Sequence, residues 1–137
     1  MKKTFVFTAI SLIACGILLS CGTTKSAASA EKTVVIDDNT LVIELDSNPT
    51  TGFSWECEIA NPAIAEIVSD TYEQATAPNG MVGVGGTQTF VFACKQTGST
   101  GLTFVYRRSW QGGETAEIRR AQIIVNDKLK GEVKFFE

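Results

Sequence analysis

The chain has 137 residues, enough for one domain and little more. Its 12 basic and 15 acidic residues leave a net charge of −3, which argues against a nucleic-acid partner and against electrostatic adhesion to anionic lipid. There is no histidine, so Ser-His-Asp and Cys-His nucleophilic sites and histidine-ligated zinc are excluded.

Taken in chain order, Met1-Lys2-Lys3 is a short basic start and Phe5 to Leu19 carries no charge. Leu18-Leu19-Ser20-Cys21 ends that run with a small residue before a cysteine. A basic start, an apolar run too short to span a bilayer and a small residue at the cut read as an export signal. The cysteine makes it resemble a bacterial lipobox, with Cys21 becoming the lipidated amino terminus. Leu12-Ile13-Ala14-Cys15 is a competing match, but cutting there would leave the mostly apolar Gly16 to Ser20 on the mature chain. An ordinary secretory signal without lipid is the plain alternative. Loss of residues 1–20 would leave 10 basic against 15 acidic residues, a net charge of −5. Membrane attachment would then come from acyl chains on Cys21 alone. The expected location is the bacterial cell envelope, lipid-anchored and outside the cytoplasm.

Gly22 to Lys32 is small, polar and aperiodic, a flexible tether. The expected organisation is therefore a signal over 1–20, a tether over 21–32 and a domain over 33–137. From Thr33 onward the pattern is period-two strands broken by turn residues. Thr33 to Ile36 is a short first strand, and Leu41, Ile43 and Leu45 mark the inner face of the second. Phe53, Trp55, Cys57 and Ile59 alternate with Ser54, Glu56 and Glu58, as in a sheet with one wet face. Ile64 to Thr71 is a weaker strand, and Thr87 to Lys95 places Phe90, Phe92 and Cys94 on one side. Gln96 to Gly101 reads as a turn. Leu102, Phe104 and Tyr106 form the next strand, then Ala121, Ile123 and Val125 another; Lys134-Phe135-Phe136 reads as an apolar tail on the sandwich edge. No segment has a helical stripe. The fold class is all-β, an immunoglobulin-like two-sheet β-sandwich, with a closed barrel as the structural alternative.

Once Cys15 leaves with the signal and Cys21 takes lipid, Cys57 and Cys94 remain in a compartment that permits disulfides. They are either a bridged pair or two small buried apolar residues in neighbouring strands.

Three connections are not explained by strand patterning. Asn48-Pro49-Thr50-Thr51-Gly52 combines a fixed φ, a residue that tolerates positive φ and a self-bonding asparagine, a stiff loop that lifts two small hydroxyl residues to its tip. Alone it could be no more than a well-made turn. Ala77 to Gly86 is glycine-rich with Met81 and Val84. It fails as a phosphate cradle, because no lysine follows and the next element is a strand. It suits close backbone approach to a groove, or else is a mobile hairpin. Tyr106-Arg107-Arg108-Ser109-Trp110-Gln111-Gly112-Gly113 puts a tryptophan beside arginines at a strand end. That is the composition of an interface anchor, unless the ring simply caps the sandwich. In an immunoglobulin-like sandwich these connections would be the BC, DE and FG loops, all at one end.

Asn48-Pro49-Thr50-Thr51-Gly52-Phe53-Ser54-Trp55, Gly83-Val84-Gly85-Gly86 and Arg108-Ser109-Trp110 occur in the order that resembles the chagasin family of cysteine-peptidase inhibitors. The resemblance spans about Thr33 to Val125. It departs at Ser109, where the family usually has proline, and a disulfide is not a usual family feature. What it implies is reversible, non-covalent inhibition of papain-like cysteine peptidases by a monomer, with no enzymatic activity, cofactor or metal. Asn48, Pro49, Thr50, Thr51, Gly52 and Phe53 would form the wedge over the catalytic cysteine. Gly83, Val84, Gly85 and Gly86 would line the substrate cleft, and Arg108 and Trp110 would grip the other side. Two other classes fit the same composition: an envelope adhesion or assembly module acting through a sheet edge, and a carbohydrate- or metal-binding module using Trp110 and nearby acids.

Overall fold

The computed structural model describes residues 31–37, 39–77, 80, 82–110 and 112–136. The expected export signal over 1–20, Cys21, Met81 and Gln111 lie outside them. Eight strands are described: β1 Glu31–Asp37, β2 Thr40–Ser47, β3 Phe53–Ile59, β4 Ala65–Gln74, β5 Gly86–Cys94, β6 Gly98–Arg108, β7 Thr115–Val125 and β8 Gly131–Phe136. They form two antiparallel four-stranded sheets, β1-β2-β5-β4 and β3-β6-β7-β8. The chain crosses between sheets after β2, β3 and β5, which gives the expected immunoglobulin-like sandwich. Strand β1 runs against β2 with Glu31 opposite Leu45 and Asp37 opposite Thr40. The chain therefore enters β1 next to the end of β2 that leads into the β2–β3 connection.

Strict alternation builds the core. Leu41, Ile43 and Leu45 of β2 and Phe90, Phe92 and Cys94 of β5 face Trp55 of β3, Leu102 and Phe104 of β6 and Ala121, Ile123 and Val125 of β7. Phe104 meets Phe90 edge-on at 5.2 Å and Phe92 at 6.5 Å, the arrangement favoured by the ring quadrupoles. Each fully buried large apolar side chain contributes about 1.5–3 kcal/mol.

Strand β1 already includes Glu31 and Lys32, which were read as the end of the tether. The turn expected over Gln96–Gly101 is shorter, because β6 starts at Gly98 and pairs with Val125 of the long β7. Thr100 is buried there and its Oγ1 accepts a hydrogen bond from the Asn61 backbone N–H at 2.9 Å. Ladder pairing thus overrides the turn propensity of a Gly/Ser/Thr run. The apolar tail is a full strand: β8 pairs with β7, and its Phe135 ring lies 6.3 Å from Phe104.

Of the two readings left open for Cys57 and Cys94, the structure has the unbridged one: both are free thiols. They belong to opposite sheets, and not to neighbouring strands of one. Cys94 points toward Leu41 and Gly131, where a Cβ on Gly131 would come within 2.7 Å of its Sγ. Cys57 lies on the edge strand β3, near Asp70 of β4. The two thiols therefore face opposite margins of the sandwich. Burial pushes the Cys57 thiol up from 9.0 to about 12, with Asp70 and Glu58 adding to the shift. Burial also raises Cys94. Below pH 9 both folded and unfolded chains keep the Cys57 proton. Between pH 9 and about 12 only the unfolded chain loses it, so stability falls as pH rises through that window. Alkylation of the native domain at pH 8 should be slow at both cysteines. Denaturation without reductant should then expose both to labelling, and a cross-linked Cys57–Cys94 peptide in the digest would contradict the fold.

Candidate functional site

The connections β2–β3, β4–β5 and β6–β7 come together at one end of the sandwich. In the first, Pro49–Thr51 is a single 3₁₀ turn between Asn48 and Gly52. The Thr51 and Gly52 backbone N–H groups donate to the Asn48 and Pro49 carbonyls at 3.1 and 2.9 Å. The Thr51 hydroxyl donates to the Asn48 carbonyl at 2.6 Å, and the Thr50 hydroxyl donates to the Asn48 side-chain oxygen. Both hydroxyls are thus turned inward, while Pro49, Thr50 and Thr51 remain exposed. Gly52 closes the turn at φ +85°, in the left-handed region.

The second loop leaves β4 and returns at Gly86. Its neck is closed by the Ala75 N–H donating to the Gly85 carbonyl at 3.0 Å and by the Gln74 amide donating to Val84 O at 3.3 Å. A Cβ on Gly86 would fall 2.1 Å from the Glu73 carbonyl oxygen, so only glycine fits there. The Asn48 side-chain amide donates to Gly83 O at 3.3 Å and joins the first loop to the second. Val82 stands 96% exposed on the glycine loop. A recess of about 490 Å³, lined in part by Asn48, Val84, Gly85 and Tyr106, lies between the two loops.

The third loop is a hairpin in which Gly113 N–H donates to Trp110 O at 2.9 Å and Arg108 N–H to Glu114 O at 3.1 Å. Trp110 is 54% exposed and lies over Gly52, where a Cβ would come within 3.1 Å of its Cζ3. The Arg108 guanidinium sits 4.8 Å from the Phe53 ring centre and 5.1 Å from that of Trp110. Thr51, Gly85 and Trp110 therefore belong to one crest. Asn48 to Phe53 and Ala75 to Gly86 contain no charged residue, so this surface can be covered with little ionic desolvation cost. Nearby, Arg107 bonds Glu56 at 2.6 Å, and that carboxylate holds the guanidinium above its ordinary value.

The model of the chagasin family peptidase inhibitor I42 matches residues 35–125, which include all three loops. The chain belongs to that family. It is 33% identical over 91 residues to chagasin of Trypanosoma cruzi, a match that covers 65% of this chain and 82% of that protein. Its fold is similar to the crystal structure of a cysteine protease inhibitor from Entamoeba histolytica. That likeness has a TM-score of 0.56 at 24% identity and covers 64% of this chain and 78% of the other. The chagasin-family domain is thus an inhibitor module and not an enzyme, and the matched span ends before β8.

Sequence reading placed Asn48, Pro49, Thr50, Thr51, Gly52, Phe53, Gly83, Val84, Gly85, Gly86, Arg108 and Trp110 at this site. The structure brings the three segments together, but it gives Arg108 a position between two rings. Two residues that hold the crest were not anticipated. The Tyr106 hydroxyl accepts a hydrogen bond from the Asn48 N–H at 2.9 Å and so fixes the start of the first loop. Gln88, only 6% exposed, reaches from β5 to β3, where it accepts from Trp55 N–H and donates to Trp55 O, both at 2.9 Å. Its amide also donates to Asp70 Oδ1 at 2.9 Å. The available signal was a polar residue in phase with Phe90, Phe92 and Cys94 on an otherwise apolar strand face.

Proposed function

We propose that the domain inhibits papain-like cysteine peptidases reversibly and non-covalently, as a monomer, by seating the three-loop crest in the substrate cleft. The observation that carries this reading is the convergence of a self-bonded 3₁₀ turn, a glycine loop and a half-exposed tryptophan on one edge. Thr50 and Thr51 would lie over the catalytic cysteine. Their turn is closed by internal hydrogen bonds, so it offers no extended peptide for attack and needs little ordering on binding. Val82 and Gly83–Gly86 would lie along the cleft, with Trp110 against the opposite wall. Titrating papain with the full chain in detergent is expected to abolish activity at one-to-one stoichiometry. Full recovery on dilution should follow, and undiminished hydrolysis at excess inhibitor would refute the reading.

The same reading includes anchoring to the bacterial cell envelope through lipid on Cys21, supported by the basic start, the uncharged run Phe5 to Leu19 and the small residue before the cysteine. Mass spectrometry of the amino-terminal peptide should find diacylglycerol on Cys21, and an unmodified terminus there would remove the anchor.

A further inference from the structure

From the core to the crest, rings and guanidinium groups form one continuous stack. The Arg119 guanidinium lies 5.5 Å from the Trp55 ring, and Trp55 lies 4.9 Å from Tyr106. Tyr106 stacks on Phe53 at 5.5 Å, and the Arg108 guanidinium carbon lies over Phe53 at 4.8 Å and over Trp110 at 5.1 Å. Its rings run from a tryptophan 2% exposed to one 54% exposed. Strand register produces it. Trp55 is paired with Tyr106 and Phe53 with Arg108 across the β3–β6 ladder, which puts each pair side by side on the same face.

Resting on the inhibitory reading above, we infer that Arg108 is a positioning residue: its guanidinium, held between Phe53 and Trp110, sets the orientation of the indole that meets the peptidase. Three observations converge on it. The guanidinium carbon lies over two rings of this chain at once, 4.8 Å from the Phe53 centre and 5.1 Å from that of Trp110, and a planar guanidinium packs well on ring faces. Its Nε is buried with no hydrogen-bond partner among the described residues, so that part of the side chain is held by ring faces and not by polar contacts. The residue between Arg108 and Trp110 is the exposed Ser109, which does not fix φ as proline would. With that backbone constraint absent, the direction of the indole rests on the hairpin hydrogen bonds at Trp110 and Arg108 and on side-chain packing against Arg108 and Gly52.

The test is a mutant cycle on the full chain, read as inhibition constants and dissociation rates against papain. Arg108→Lys keeps the charge but replaces the planar group with a compact ammonium. It is expected to raise the inhibition constant about tenfold, through faster dissociation. In a Trp110→Ala background the same change should matter less than about twofold, because a residue acting through Trp110 has nothing left to position. Undiminished inhibition by Arg108→Lys, or an equal loss with and without Trp110, would overturn the inference, since the arginine would then act through charge or through its own contact. Two further measurements guard against misfolding and against a failure of the inhibitory reading itself. Phe53→Leu removes the opposite ring and leaves the arginine untouched, and it too should weaken inhibition. Acrylamide quenching of Trp110 fluorescence, recorded without any peptidase, should rise in both variants. Unchanged quenching would sink the positioning role even if the wild-type chain proved not to inhibit.

Discussion

Trp110→Ala is expected to weaken inhibition of a papain-like peptidase by about 30-fold or more, equal to about 2 kcal/mol of binding free energy. The indole rests on Gly52 and on the Arg108 guanidinium and leaves about half its surface open. Covering that open surface removes a large apolar area from water without any new ordering of the ring, the condition under which an aromatic anchor contributes most. Because Trp110 packs only at the crest, unfolding free energy should fall by no more than about 1 kcal/mol. The effect should appear mainly as faster dissociation. A loss below about twofold, with the fold intact, would make the third loop a bystander and leave the first two loops to account for binding.

The second large effect is on stability. Gln88→Leu is expected to lower the unfolding free energy by about 3 kcal/mol, out of a total of about 5–15 for a domain of this kind. The side chain replaces a strand neighbour that Trp55 lacks: it serves both the N–H and the carbonyl of that residue from the opposite sheet. Leucine fills similar volume but leaves a buried donor and a buried acceptor unpaired, and it deprives Asp70 of a partner. Ser47, whose hydroxyl donates to Gln88 at 3.4 Å, stands immediately before the first crest loop, so the loss should reach the inhibitory edge as well. Urea denaturation reads the stability term directly. A midpoint shift equivalent to less than about 1 kcal/mol would mean that water or backbone movement satisfies Trp55 without the bridge.

Much of the sandwich was legible because its inward positions are large and alternate strictly, as in Phe53-Ser54-Trp55-Glu56-Cys57. Where a strand is built from small polar residues, as at Gly98 to Gly101, local chemistry points to a turn and only the ladder with β7 decides otherwise. The crest loops stood out because proline, glycine, asparagine and an end-of-strand tryptophan do not serve a sheet interior. Their mutual supports did not stand out. Tyr106 keeps phase with Leu102 and Phe104 and reads as one more core ring, although its hydroxyl holds the Asn48 amide. Arg108 reads as a residue that grips the peptidase, and only the pairing of Phe53 with Arg108 shows that its neighbour is a ring of the same domain. The cysteines stayed open between two readings for a similar reason: spacing along the chain does not reveal which sheet each strand joins.

The register of β1 has a consequence for how a tethered copy could work. Since Glu31 lies opposite Leu45, β1 begins at the same pole as the blocking edge. With the proposed acyl anchor at Cys21, the domain would be attached at the pole that carries this edge, so a docked peptidase would share that side with the bilayer. The ten peptide steps from Cys21 to Glu31 extend to about 35 Å at most, comparable to the width of one small domain. The lipid-held form would then act as a size filter, admitting a compact peptidase into the gap and turning away one built into a large assembly, whereas the detached form would discriminate between neither.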